Sequence, residues 1–134
     1  LTIPANTAIL SYMRNINRNS EMLALGNLAD MSEEEVKNHL VKEYEADKSY
    51  VDQFRILIAF EGDFEGYRSE SHFLLENNQS GKLFEVHAAH CSCYGYEGQF
   101  QPEETTAQYL LSKHAGWFSE DAKASEWITT NIHL

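Results

Sequence analysis

The chain reads as an α+β domain: a small antiparallel β-meander of about three strands packed against N-terminal and C-terminal helices. Three observations predict it. Apolar residues recur at helical spacing up to Val51, the period drops to two from Phe54 onward, and helix start and stop signals return after Pro102. The 134 residues fit one domain spanning 1–134, since single cores are usually built from about 100–150 residues.

From Ala5 to about Arg18, Ile9, Tyr12, Met13 and Ile16 recur three and four residues apart, predicting an amphipathic helix entered after Pro4. Ser20 is a cap for a second, short helix carrying Met22, Leu23, Leu25 and Leu28, weakened by Gly26. Ser32-Glu33-Glu34-Glu35 is a capping box, and Val36, Leu40, Tyr44 and Val51 form one apolar stripe, predicting a helix from Glu33 to about Ser49. Phe54, Ile56, Ile58 and Phe60 then alternate with Arg55, Leu57, Ala59 and Glu61, the pattern of a buried strand. Two further strand-like runs, Tyr67 to Glu76 and Lys82 to His90, flank the turn Asn77-Asn78-Gln79-Ser80-Gly81. A roughly symmetric loop sets Leu74 opposite Phe84 and His72 opposite Val86 or His87. Tyr94 to Gly98 is a turn. Pro102, Glu103 and Glu104 open a helix that Lys113, His114 and Gly116 close, giving Pro102 to Ala115. A last helix follows a Ser119 cap, with Ala124, Trp127 and Ile128 facing inward.

Ten Lys and Arg against 21 Asp and Glu give a net charge of −11. That repels phosphates and anionic lipid heads, so direct nucleic-acid and membrane-surface binding are disfavoured. No apolar run approaches the roughly 20 residues of a membrane span, and Leu1-Thr2-Ile3-Pro4 carries no signal-peptide pattern. The expected compartment is a reducing cytoplasm, in which Cys91 and Cys93, too close for an unstrained mutual bridge, stay free.

Chemistry is suggested at three places. His87, His90, Cys91 and Cys93 put four preferred zinc ligands within seven residues, with His72 available from the neighbouring strand. Their spacing is not that of separated ligand pairs, and in an extended chain His90 faces away from His87. The alternative is a strand end where the cysteines are small buried hydrophobes. Either cysteine with His87, His90 or His114 would supply a thiol nucleophile, but no protease-like signature surrounds them, and the surrounding negative charge opposes a thiolate. Glu61, Asp63 and Glu65 alternate along an extended segment, about 6.6 Å apart on one face. Together with Glu70 they make either an acidic surface for a basic partner or a charged strand edge that resists aberrant pairing. Tyr94 and Tyr96, at the turn, are candidate interface anchors. Glycine-rich phosphate loops, a nucleophile elbow and basic-aromatic stripes are missing from the sequence, which points away from catalysis.

The stretch His90-Cys91-Ser92-Cys93-Tyr94-Gly95-Tyr96-Glu97-Gly98-Gln99-Phe100, continued by Pro102-Glu103-Glu104-Thr105-Thr106, resembles small uncharacterised proteins encoded by bacteriophages and prophages. The resemblance implies a phage-type source and a bacterial host cytoplasm as workplace, and it transfers no catalytic residue. Small accessory phage proteins often act by binding and blocking a host machine, and that is the expectation the resemblance carries. The expected function is therefore a stoichiometric binder and inhibitor of a host or defence protein that handles nucleic acid. Glu61, Asp63, Glu65 and Glu70 would engage its basic surface, and Tyr94 and Tyr96 would add contacts. The alternative is a zinc-stabilised module or small metalloenzyme built on His87, His90, Cys91 and Cys93.

Overall fold

The computed structural model describes residues 15–63 and 68–134. The helix expected over Ala5 to Arg18 lies outside the described residues except for its last turn. There the chain is not helical, and Ile16 makes an isolated antiparallel bridge with Ile132.

The α+β class holds, with a larger and mixed sheet. Five strands lie in the order β1-β2-β3-β4-β5: β1 Leu23–Gly26, β2 Phe54–Asp63, β3 Ser69–Asn77, β4 Leu83–His90 and β5 Glu103–Thr105. The helices among the described residues are α1 Glu33–Glu43, α2 Lys48–Val51, α3 Ala107–Leu110, α4 Trp117–Glu120 and α5 Ala122–Asn131. β1 runs parallel to β2, while the β2–β3, β3–β4 and β4–β5 pairs are antiparallel. A parallel pair needs a crossover, and α1 with α2 supplies it.

The segment expected as a Ser20-capped helix is instead β1 and a turn. Leu23 and Leu25 alternate along an edge strand, and Gly26 takes a φ of +64°. A Cβ there would sit 2.3 Å from the Glu61 carbonyl oxygen, so the close approach of β2 requires the glycine. The capping box forms as read: Ser32 Oγ accepts from the Glu35 N–H, and Glu35 Oε1 accepts from the Ser32 N–H, both at 3.1 Å. The helix does not run on to Ser49. It ends at Glu43, Glu45 adopts a φ of +52°, and Asp47 caps a separate α2. The break swings the chain so that both Tyr44 and Val51 reach the core.

β2 carries the most consequential departure. Leu57 is an extra residue: Ile56 pairs with Leu75 and Ile58 pairs with the adjacent Leu74. A bulge inverts the side-chain parity beyond it. Phe54, Ile56, Ala59 and Glu61 therefore share one face, while Ile58 and Phe60 lie on the other. The first face is covered by α1, α2 and the 96–100 loop, its core including Leu40, Tyr44, Phe73, Val86 and Phe100. The second is covered by α3, α4 and α5, with Ile58, Leu74, Leu110, Phe118 and Ile128 buried there. Each such fully buried side chain contributes about 1.5–3 kcal/mol.

The β3–β4 hairpin closes with Asn77 Oδ1 accepting from the Gln79 and Ser80 N–H groups and Gly81 at φ +75°. Register places Leu74 opposite Glu85 and Leu75 opposite Phe84, one residue from the expected pairing, and sets His72 opposite His87. The helix expected from Pro102 to Ala115 is replaced by β5 and the short α3. Residues 103–105 take up the open edge of β4, and Thr106 Oγ1 then caps α3. Proline immediately before an edge strand leaves no ladder donor missing. α5 starts from Asp121, whose carboxylate accepts the Ala124 N–H, rather than from Ser119, which lies within α4. Ala124 and Ile128 are buried, and Trp127 is half-buried with its Nε1–H donating to the Glu21 carbonyl.

Candidate functional site

At the end of the sheet where β2 and β4 finish and β3 begins, polar side chains replace apolar ones on both faces. On the first face, Glu61 is buried. Its Oε2 accepts from the Tyr44 hydroxyl at 2.8 Å and contacts His39 Nε2 at 2.9 Å. Tyr44 Oη also lies 2.8 Å from Ser71 Oγ, and the Tyr44 ring stacks on Tyr96 with centroids 4.6 Å apart. The Tyr96 hydroxyl meets Ser69 Oγ.

Burial by itself raises the Glu61 carboxyl, but the hydrogen bonds from His39 and Tyr44 and the His39 charge outweigh it and hold it below its ordinary value. The same bond raises His39, against a smaller opposing effect of burial. Burial and the Glu61 charge push the Tyr44 hydroxyl up. Folding thus favours the carboxylate form of Glu61 and the protonated form of the His39 ring, and keeps the Tyr44 phenol protonated. It opens onto a cleft of about 540 Å³ lined also by Glu43, Asp63 and His90. Neither Lys nor Arg is among the described residues lining it.

On the second face, His72 lies stacked against Trp117, with centroids 4.7 Å apart and ring planes 13° apart. Its Nδ1 is 2.7 Å from His87 Nδ1 and its Nε2 is 3.0 Å from Glu70 Oε1, while His87 Nε2 is 2.8 Å from Glu85 Oε1. Burial lowers His72, opposed in part by the Glu70 hydrogen bond.

The expected one-faced line of carboxylates is corrected by this geometry. Glu61 faces the core of the first layer and is engaged by His39 and Tyr44. Glu70 pairs with Gly62 in the ladder and contacts His72 on the opposite face. Asp63 is exposed, and Glu65 lies outside the described residues. Parity explains the split, because residues on directly paired strands that differ by one position face opposite sides of the sheet. Tyr94 is exposed as an anchor should be, at 69%, but Tyr96 is buried at 6% and packs on Tyr44.

The four candidate zinc ligands are not brought together. His87 faces the α4 side and His90 lies against Tyr96 on the other, with ring centroids 5.3 Å apart. Cys93 is exposed and Cys91 half-buried, both free. Among the described residues no group of three or more His, Cys, Asp or Glu is arranged to hold a metal ion. The Cys91 thiol is lowered, foremost by the backbone N–H of Cys93, which donates to its sulfur at 3.4 Å. The carboxylates of this acidic chain do not set its behaviour.

His39 and Ser71 belong to these networks without having been singled out in the sequence, and Tyr44, read there as part of an apolar stripe, adds a hydroxyl to one of them. The available signal was His39, a polar ring bordering the stripe of Val36, Leu40 and Tyr44. It becomes meaningful only once the bulge turns Glu61 toward it. No family model, curated protein or solved structure matches the chain, and no described helix is long and apolar enough to cross a membrane.

Proposed function

We propose that the protein is a stoichiometric binder and inhibitor of a basic protein, of the kind that handles nucleic acid in a bacterial host. It receives a cationic side chain of that partner in the Glu43, Glu61 and Asp63 cleft. The observation carrying this reading is the buried Glu61, engaged by His39 and Tyr44, at the base of a cleft whose rim adds two exposed carboxylates and, among the described residues, neither Lys nor Arg. A cationic side chain entering it meets the exposed carboxylates of Glu43 and Asp63, with Glu61, already engaged by His39 and Tyr44, fixed at the base, and such preorganisation lowers the cost of binding. The net charge of −11 adds long-range steering toward a positive surface. Tyr94, exposed at the neighbouring turn, supplies aromatic contact area.

The test uses a partner captured from a bacterial lysate and then purified, titrated with wild type and with the double variant Glu43→Gln, Asp63→Asn, both positions being exposed and outside the core. Affinity should fall about tenfold or more, the salt dependence should flatten, and nucleic acid should compete for the partner. Affinity unchanged by the double substitution and by salt would remove the acidic cleft from the interface. A partner whose binding nucleic acid leaves untouched would refute the nucleic-acid-handling target.

A further inference from the structure

The row Glu70, His72, His87, Glu85 on the second face, remote in role from the acidic cleft, contains three polar contacts, at 3.0, 2.7 and 2.8 Å. Each requires one hydrogen between its heavy atoms. Two neutral imidazoles carry one N–H apiece and ionised carboxylates carry none, so the row is one hydrogen short. If both Nε2–H groups serve the glutamates, two Nδ1 lone pairs face each other. If either ring turns its hydrogen inward, its other lone pair faces a carboxylate oxygen.

A further proton on one ring or a cation between the rings would each resolve this, and the distance separates them. An N–H···N bond has the observed length. Two nitrogens each about 2.0–2.1 Å from a tetrahedral zinc stand about 3.3–3.4 Å apart.

We propose that His72 and His87 share one excess proton near neutral pH, with His87 as the imidazolium and His72 as the neutral Nε2–H tautomer, and that this proton latches the α4 aromatic cover to the sheet. His87 Nδ1–H then donates to His72 Nδ1, His87 Nε2–H to Glu85, and His72 Nε2–H to Glu70. His87 is the better seat for the charge, because its side chain is 43% exposed and that of His72 only 11%. The lowering of His72 by burial agrees with its staying neutral.

Among the described residues the surroundings are predominantly acidic or uncharged and favour the proton. On β5, Glu103 and Glu104 line the cleft next to Glu85 and His87, and Tyr109 of α3 borders it. Lys82, just ahead of β4, pairs with Glu104 at 3.7 Å. Phe60 of β2 and Trp117 and Phe118 of α4 contribute rings without charge, and the charged residue of α4 is Glu120. Among the described residues no Lys or Arg lines the clefts beside His87. When alkali removes the proton, the row loses a contact, His72 turns, and Trp117 loses the flat ring on which it rests.

Nitrogen-15 NMR of the histidine rings in the wild-type protein tests this directly. Near neutral pH both His87 nitrogens should appear protonated and His72 should show a protonated Nε2 with a bare Nδ1. Both rings should report one coupled deprotonation. Glu85→Gln, isosteric and still an acceptor, should move that step down by about one pH unit. In a Trp127→Phe background, Trp117 emission should change at the same pH, and His87→Gln should abolish that change. Two neutral rings titrating independently would overturn the proposal. Uptake of one zinc per chain by wild type, lost in His87→Gln, would overturn it in favour of a cation in the gap.

Discussion

His39 and His72 lie on opposite faces of one sheet, with a glutamate oxygen 2.9 Å from the first and 3.0 Å from the second, yet folding raises one and lowers the other. Burial of the ring is the largest influence on His72, joined by the His87 charge, whereas the Glu61 hydrogen bond is the largest on His39, and the two carboxylates also differ. The Glu61 side chain is 11% exposed and that of Glu70 is 39% exposed. A desolvated carboxylate acts on its neighbour almost unscreened, whereas a solvated one is screened and leaves burial of the ring to prevail. The same residue pair therefore favours the protonated ring on one face and the neutral ring on the other.

Large substitutions break the comparison at the apolar anchors, where the two faces should respond alike. Tyr44→Ala and Phe118→Ala each remove a fully buried ring and should cost about 3–5 kcal/mol, read as a shift of the denaturation midpoint at unchanged slope. A second transition or a changed slope in either variant would mean that the two layers do not share one cooperative core. Gly26→Ala, which drives a Cβ against the Glu61 carbonyl at a positive φ, should cost about 2–3 kcal/mol and loosen the first face selectively. Hydrogen exchange near Glu61 compared with that near His72 reads this out.

The pH dependence sharpens the comparison. Glu61→Gln should cost about 1–2 kcal/mol, with the loss largest between pH 4.5 and 6.5, the ordinary values of the two groups. The His39 contribution is complete below 6.5 and fades as pH rises through its raised value. The Glu61 contribution is complete above 4.5 and fades as pH falls through its lowered value. His72 carries the opposite sign to His39. The unfolded chain takes up that proton more readily, so the fold weakens as pH drops below 6.5, and His72→Gln should remove this acid sensitivity. Stability–pH curves of the two variants that bend the same way would refute the assignment. At the small end, Ser32→Ala should cost about 1 kcal/mol through the lost cap and leave both histidines' behaviour unchanged.

The amino-acid order alone determined those elements whose causes are local. The Ser32 capping box depends on side chains three residues apart, the Asn77 to Gly81 turn on residues that accept its backbone angles, and the strand beginning at Phe54 on alternation and composition. The α+β class follows from these, and so does the hairpin register to within one residue, which the folded sheet settles with His72 opposite His87. Tertiary structure decided everything that depends on a partner distant in sequence. β1 exists because β2 offers it a parallel edge, and β5 because β4 had an open one, which overrode good helix signals at Pro102, Glu103 and Gly116. Most of all, one bulge at Leu57 reversed the parity of β2, turned Glu61 from an expected surface acid into a buried ion, and placed Glu70 on the other face. Alternation along a strand is written in the sequence, but the insertion that resets it is fixed by how the neighbouring strand and two packed layers fit together.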